Sequence, residues 1–431
     1  MTSQRSRRSH RSSHWSRTLR MGCLAVAVGA GLSACGGGGG GGGPTGVAQF
    51  RLTDAPVCSN VSSVVVTITR IELIGASGTY DLTLSQPMQQ DLTQLVNGVS
   101  INLGSISVPA GTYQQVRLIL ASNPPSGPYA NYVTVGTGTT QYPLFTPSAQ
   151  QSGLKVNGQF TVAANGQVNL TMDFNACRSV VLAGNSGKYL LKPVINLMDD
   201  DSSGSISGSL SSAADAGAVV MAEDTQGHIL RSTVAVADSS GTTASFTLAP
   251  IPAAAGPYNV VIAPPAAPPT PTSTTPSPNF VPTVLTGVPV TAGAQTSLGG
   301  PITLPPLSST DDQVFSGSVT VASSDVDTLI VAQEPLGNSG QTISIASQTG
   351  EGDSSTQSYA MTLPTVAPQV AAYATSGTVT FTQSTTAPNI TIAAYASDGE
   401  DGSEHYQSGQ STAGATIMMS GSSDNTFGMD H

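Results

Sequence analysis

Scarcity of charge decides what this chain can fold into. Only 9% of its 431 residues are Asp, Glu, Lys or Arg, against about 25% in an ordinary globular domain. Long solvent-facing helices are built from Glu, Lys, Arg and Leu at helical spacing, and that material is missing. The chain instead carries abundant Ser and Thr with 47 Gly and 29 Pro, the residues of turns between strands. The composition predicts an all-β protein, and at about 100–200 residues per domain the length predicts two to four domains.

The charge that is present is unevenly spread. Arg5, Arg7, Arg8, Arg11, Arg17 and Arg20 stand in the first 20 residues with no acid among them, so the rest sets eight basic residues against 25 acidic ones, a balance of −17. Such a polypeptide repels phosphate backbones and anionic headgroups, which argues against nucleic acid as a partner and against direct electrostatic attachment to a membrane. No Lys or Arg follows Arg231.

Behind the basic stretch, Met21 to Leu32 is an apolar run of twelve residues. A membrane-spanning helix needs about 20, so residues 1–34 are predicted to be a secretory signal peptide. Leu32-Ser33-Ala34-Cys35 resembles the bacterial lipobox. The resemblance implies cleavage before Cys35, diacylglycerol on its sulfur and acylation of the new amino terminus, and several acyl chains anchor stably where one is marginal. An ordinary signal peptide with a Cys near its cut site is the alternative. Arg7-Arg8 invites a twin-arginine reading, but Ser9, His10 and Arg11 follow where that pattern wants apolar residues. Gly36 rather than Asp after the Cys resembles the signal for outer-membrane sorting in proteobacterial lipoproteins. Gly36 to Gly43 leads into Pro44-Thr45-Gly46 and not into a helix with Lys and Ser/Thr, so it is not a phosphate loop. Residues 35–46 read as a tether, whose Gly-rich part spans roughly 17–20 Å r.m.s..

Of the four Cys, Cys23 lies in the signal and Cys35 carries lipid. Cys58 and Cys177 remain, and two thiols in an exported domain most simply form a disulfide. The loop of about 120 residues would contribute on the order of 4–5 kcal/mol in the chain-entropy model. Free thiols or a two-Cys metal site are the alternatives.

From residue 47 to 199 the chain alternates. Val168, Leu170, Met172 and Phe174 point one way, Asn169, Thr171 and Asp173 the other, the period of a half-buried strand. Val116, Leu118 and Leu120 repeat it after the turn Pro109-Ala110-Gly111. Val64 to Ile74 is β-branched, Tyr189 to Leu197 is expected to be a closing strand with Pro193 marking an edge or bulge, and Gln90 to Asn97 is expected to be a short helix. Leu52-Thr53-Asp54-Ala55-Pro56, VTITRIEL, PAGTYQQVRLIL, PSAQQSGLK, DFNACRSVV and GKYLLKPVI resemble, in that order, the bacterial lipoprotein family called domain of unknown function 4382, over residues 47–198. The resemblance implies an exported, usually lipid-anchored β domain and carries no catalytic residues with it.

Residues 204–431 contain a weak repeat. Gly208-Ser209-Leu210 and Val219 to Glu223 resemble Gly317-Ser318-Val319 and Leu329 to Gln333. Ser245 to Leu248 resembles Tyr359 to Leu363, and Thr291 to Ala294 resembles Thr412 to Ala415. Two β-sandwich modules are expected, at 204–307 and 314–421, faintly resembling transthyretin-like or carboxypeptidase-regulatory sandwiches, with a tail at 422–431. Pro264 to Pro282 then falls in a loop of the first repeat and Ser397 to His405 in the matching loop of the second; a stiff loop competes with a polyproline motif for the former. The inter-module linker is expected at Pro305 to Gln313. The fold class that follows is tandem antiparallel β-sandwiches, Ig-like or transthyretin-like.

Chemistry is sparse. Beyond the signal the only histidines are His228, His405 and His431, and no Gly-x-Ser-x-Gly elbow occurs. A Ser/His/Asp site would have to assemble across domains. Trp15 is the single Trp and leaves with the signal, so any sugar-stacking platform must be built from Tyr. Asp199, Asp201 and Ser203 occupy positions 1, 3 and 5 of a partial calcium loop with Gly204 at 6, but Leu210 stands where a bidentate Glu belongs; an Asp-rich linker is the competing reading. Asp398, Glu400, Asp401 and Glu404, and Asp325 with Asp327, are further acidic candidates. Lys155, Lys188, Lys192, Arg117 and Arg178 could line an anion site or be scattered over solvated faces. No cofactor is expected beyond structural calcium. The expected function is that of a lipid-anchored cell-envelope protein acting noncatalytically, as a binding, structural or adhesion module for an envelope protein or polysaccharide. A hydrolase of extracellular polymers and a solute-binding lipoprotein are the alternatives.

Overall fold

The computed structural model describes residues 43–431 apart from 56–60, 137, 147–151, 184–185, 266–278, 309, 321–326, 338, 350–355, 376–378, 398–415 and 419–431. Residues 1–34, expected to be a signal peptide, Cys35, Cys58 and most of the Pro-rich run therefore lie outside the described residues. Among the described residues, strands make up nearly all of the regular secondary structure, as the composition requires.

The first module comprises β1 (Thr45–Ala55), β2 (Val61–Gly75), β3 (Gly78–Asp91), β4 (Ile101–Pro109), β5 (Gly111–Leu120), β6 (Tyr132–Val135), β7 (Gln141–Phe145), β8 (Leu154–Val162), β9 (Gln167–Asn175), the helical turn α1 (Ala176–Ser179), β10 (Val180–Ala183), β11 (Lys188–Leu191) and β12 (Ile195–Asp199). One sheet runs β12-β9-β1-β4; the other runs β10-β11-β7-β6-β2-β5-β8, with β3 also pairing β2. A single core that includes Phe50, Leu52, Ile68, Leu73, Leu118 and Phe174 draws on both sheets. Burying each such side chain contributes about 1.5–3 kcal/mol.

Three expectations change. Tyr189 to Leu197 is not one strand but two, β11 and β12, in different sheets. Pro193, which has no N–H to give a ladder, sits at the crossing. Gln90 to Asn97 is the end of β3 followed by a single 3-10 turn at Leu92–Gln94, capped by Asp91, whose Oδ1 accepts from Thr93 N at 3.1 Å. Burial of Leu92 and Leu95 fixes that turn, and eight residues are too few to repay helix nucleation. The sheets are also not purely antiparallel: β1 pairs β9 in parallel, and so does β11 with β7.

A 3-10 turn at Asp200–Ser202 joins β12 directly to the next module, which comprises β13 (Ser203–Leu210), β14 (Val219–Glu223), β15 (Ile229–Val234), β16 (Val236–Ala237), β17 (Ala244–Pro252), β18 (Tyr258–Ala263), β19 (Thr283–Val288) and β20 (Gln295–Ser297). Then follow β21 (Asp312–Thr320), β22 (Asp327–Pro335), β23 (Thr342–Thr349), β24 (Thr356–Pro364), β25 (Gln369–Ala372), β26 (Thr382–Gln383), β27 (Thr391–Ser397) and β28 (Thr416–Met418). In the earlier set, β17-β13-β20 faces β15-β14-β18; in the later set β24-β21-β28 accompanies β23-β22-β27. In each set the first strand pairs one neighbour antiparallel and the last strand parallel.

The two sets share more than an order of strands. β25 and β26 lie in the later stretch of sequence but extend the earlier sheet, β25 pairing in parallel with β19. That sheet is also apolar on both faces. Val220, Ala222, Val260 and Ile262 belong to the second core. Met221, Val261, Ala263 and Val284 belong to the third core, with Phe315, Ile330, Ile343 and Met361. Alternate residues of β14 and β18 thus serve two cores, which is why these strands read as continuous apolar runs.

Candidate functional site

The turn that joins the first module to the second builds a cleft of about 330 Å³, at the small end of ligand pockets. Arg51, Thr53, Thr171, Asp200, Ser203 and Gln295 are among its walls. Arg51 Nη1 lies 3.7 Å from Asp200 Oδ2. Burial pushes the Asp200 carboxyl up, against the hydrogen bond from Thr171 and the Arg51 charge, which pull it down.

Asp199, Asp201 and Ser203 come together on this turn, where the Asp199 carboxylate and the Ser203 hydroxyl bond to the local backbone. Asp199 Oδ1 accepts from Asp201 N at 2.9 Å, and the Asp199 carbonyl accepts from Ser203 Oγ at 2.9 Å. Among the described residues no group of three His, Cys, Asp or Glu side chains stands together as metal ligands would. Asp325 and the loop holding Asp398, Glu400, Asp401 and Glu404 fall outside the described residues, while Asp327 opens β22. The Cys58–Cys177 pairing also falls outside them; the Cys177 backbone is part of α1.

The candidate cations Arg117, Lys155 and Lys188 do not gather in one place, and the Arg178 side chain falls outside the described ones. Arg117 and Lys155 stand opposite each other in the β5–β8 ladder, whereas Lys188 is on β11, toward the other end of the same sheet. His228 is held in a turn, Nδ1 to Asp224 Oδ2 at 2.6 Å, with its ring edge-on to Tyr395 at 6.4 Å. Burial raises the Asp224 carboxyl, but the hydrogen bonds and charge of His228 outweigh it and the net direction is down. The pair matches the base and its orienting acid in a hydrolytic triad, the arrangement an assembled Ser/His/Asp site would need.

A second surface lies at the β7–β11–β10 end of the eight-stranded sheet. Tyr142, Phe145 and Leu182 are 38%, 41% and 43% exposed, in a chain with only 5% aromatic residues. Strand register places Tyr142, Tyr189 and Leu182 on one face of the sheet, since Tyr189 stands opposite Leu144 on one side and Leu182 on the other, and puts Phe145 with Lys188 on the opposite face. The Tyr142 and Tyr189 rings lie 5.3 Å apart and tilted by 53°. Lys188 Nζ stands 5.1 Å from the centre of the Phe145 ring, a cation–π distance. Composition alone could not reveal this cluster, because its members come from strands far apart in sequence.

These observations define an all-β protein of serial modules with a polar junction cleft and an exposed aromatic face. Residues 45–193, about a third of the chain, match the family described as Domain of unknown function (DUF4382), which takes in nearly all of the first module. Comparison with curated proteins gives no match. Among the described residues no helix is long and apolar enough to cross a membrane.

Proposed function

We propose that the chain is a lipid-anchored protein of the bacterial cell envelope, sorted to the outer membrane, that works noncatalytically by binding a neutral polysaccharide. The observation that carries the binding role is the exposed aromatic cluster. The Tyr142 ring, which keeps about two fifths of its surface in water while packed at a tilt against Tyr189, offers a flat apolar face to the C–H face of a sugar ring. The hydroxyls of Tyr142 and Tyr189 supply hydrogen-bond donors. The acidic balance beyond the signal disfavours an anionic polymer.

Anchoring rests on the apolar run, the lipobox-like Leu32 to Cys35 and the glycine tether. The disulfide is supported by the parallel ladder, in which Ala55 stands opposite Asn175, three residues before Cys58 and two before Cys177. Duplication of one transthyretin-like sandwich within residues 204–421 is supported by the common pairing order of the two downstream strand sets. Affinity electrophoresis of the whole protein through gels of neutral envelope glycans tests the binding role. Tyr142→Ala and Tyr189→Ala should each weaken retardation by about tenfold, the effect of removing one stacking ring worth 1–1.5 kcal/mol. Equal mobility of wild type and variants in every glycan that retards the protein would refute it.

A further inference from the structure

Residues 204–431 hold 17 acidic residues, with Arg231 as their one Lys or Arg. A lone cation in so acidic a stretch would be expected at the surface, yet Arg231 is 3% exposed. It lies on β15 opposite Ala222, on the face that turns toward the second core. Its guanidinium leaves its own module. Nη1 pairs with Asp173 Oδ2 on β9, while Nη2 donates to the Asp54 carbonyl at 3.2 Å and to Thr53 Oγ1 at 3.4 Å, both on β1.

The receiving residues are themselves built in. Thr53, Asp54 and Asp173 are all buried. Thr53 Oγ1 is held by the carbonyls of Leu95 and Val99 at 3.0 and 2.8 Å, and Asp54 Oδ1 accepts from Ala176 N at 2.9 Å. A buried carboxylate is costly unless a positive group meets it, so the second module can cover Asp173 only if it brings a cation to it. The acceptors come from two strands and are spread as a planar fork of donors can reach them; a lysine ammonium is a compact point charge that does not present such a fork. Thr53 and Asp54 belong to the block Leu52 to Pro56, and Asp173 opens the block DFNACRSVV. The receptor therefore lies within the stretch that matches the family.

We propose that Thr53, the Asp54 carbonyl and Asp173 form a guanidinium receptor on the first module, a docking surface for an arginine carried on the edge strand of a following β module, filled in this chain by Arg231. This role is independent of the glycan-binding reading. It gives two otherwise polar sequence blocks a purpose in an all-β domain, and it fixes how the second module sits on the first.

The junction has its own reporter. Thr247 N, on β17, donates to Asn97 Oδ1 of the first module at 2.6 Å, so its amide exchange reads opening of this contact. In full-length protein, Arg231→Ala should speed exchange at Thr247 by at least about tenfold. Millimolar guanidinium should restore the protection and sodium at equal ionic strength should not, while Arg231→Lys should remain as open as Arg231→Ala. Unchanged exchange in Arg231→Ala, protection by Arg231→Lys equal to wild type, or rescue by sodium as good as by guanidinium would each overturn the proposal. If Arg231→Ala does not fold, Asp173→Asn carries the test, since it keeps the receptor's shape with Arg231 in place. Exchange at Thr247 should then rise and be insensitive to guanidinium; unchanged exchange would overturn the proposal.

Discussion

Glu334 on β22 is 2% exposed, and its Oε2 has no hydrogen-bond partner among the described residues. Burial pushes its carboxyl from 4.5 up to about 8, because a bare carboxylate loses its water without gaining a partner. Between those two values the folded protein holds a proton that the unfolded chain has released. Stability must therefore fall as pH rises through that window. At about 1.4 kcal/mol per unit, Glu334 alone removes about 3 kcal/mol by pH 7 and at most about 5 kcal/mol by pH 8. Burial also drives Glu223 well above its usual range, against the opposing hydrogen bond from the Ser344 amide, and gives a slope of the same sign. Glu334→Gln isolates one contribution, since the amide keeps the shape and cannot ionise. Urea unfolding followed by far-ultraviolet circular dichroism at pH 5, 6, 7 and 8 should show the variant gaining on the wild type steadily, by several kcal/mol over the series. A constant difference between the two proteins from pH 5 to 8 would refute the idea that Glu334 is protonated in the folded state.

Gly98 has φ +76° and stands against Thr247, where an added Cβ would come within 2.8 Å of Cγ2. Gly98→Ala should cost about 1–3 kcal/mol through backbone strain and the clash, read as a lowered melting temperature; an unchanged value would mean that the two modules do not touch there in solution. Cys35→Ser should move the protein from the membrane fraction to the soluble one, and continued membrane association would sink the lipid anchor. In native protein Cys58 and Cys177 should resist alkylation until a reductant is added, whereas ready labelling of both would exclude their disulfide.

Local pattern was enough to reveal the strands. Val168, Leu170, Met172 and Phe174 are all buried, as their alternation requires, and Val116, Leu118 and Leu120 behave the same way. The same alternation put Thr171 and Asp173 on a solvent face, yet both are buried. Period two reports which residues share a side of a strand, not what covers that side. Here the second module covers it, and Arg231 meets Asp173 only because separate ladders bring their strands together. Pro193 likewise marked an interruption without revealing that the chain changes sheets there.

Composition and short-range periodicity thus determined that this chain is β-rich, where many of its strands run and which residues share a side of a strand, because those properties depend on neighbours along the chain. Tertiary structure decided the parallel pairings, the double-faced sheet shared by two cores, the exposed aromatic cluster and the buried Arg231–Asp173 contact. These join residues far apart in sequence, and the free energy that selects them arises only when whole sheets dock and exclude water between them.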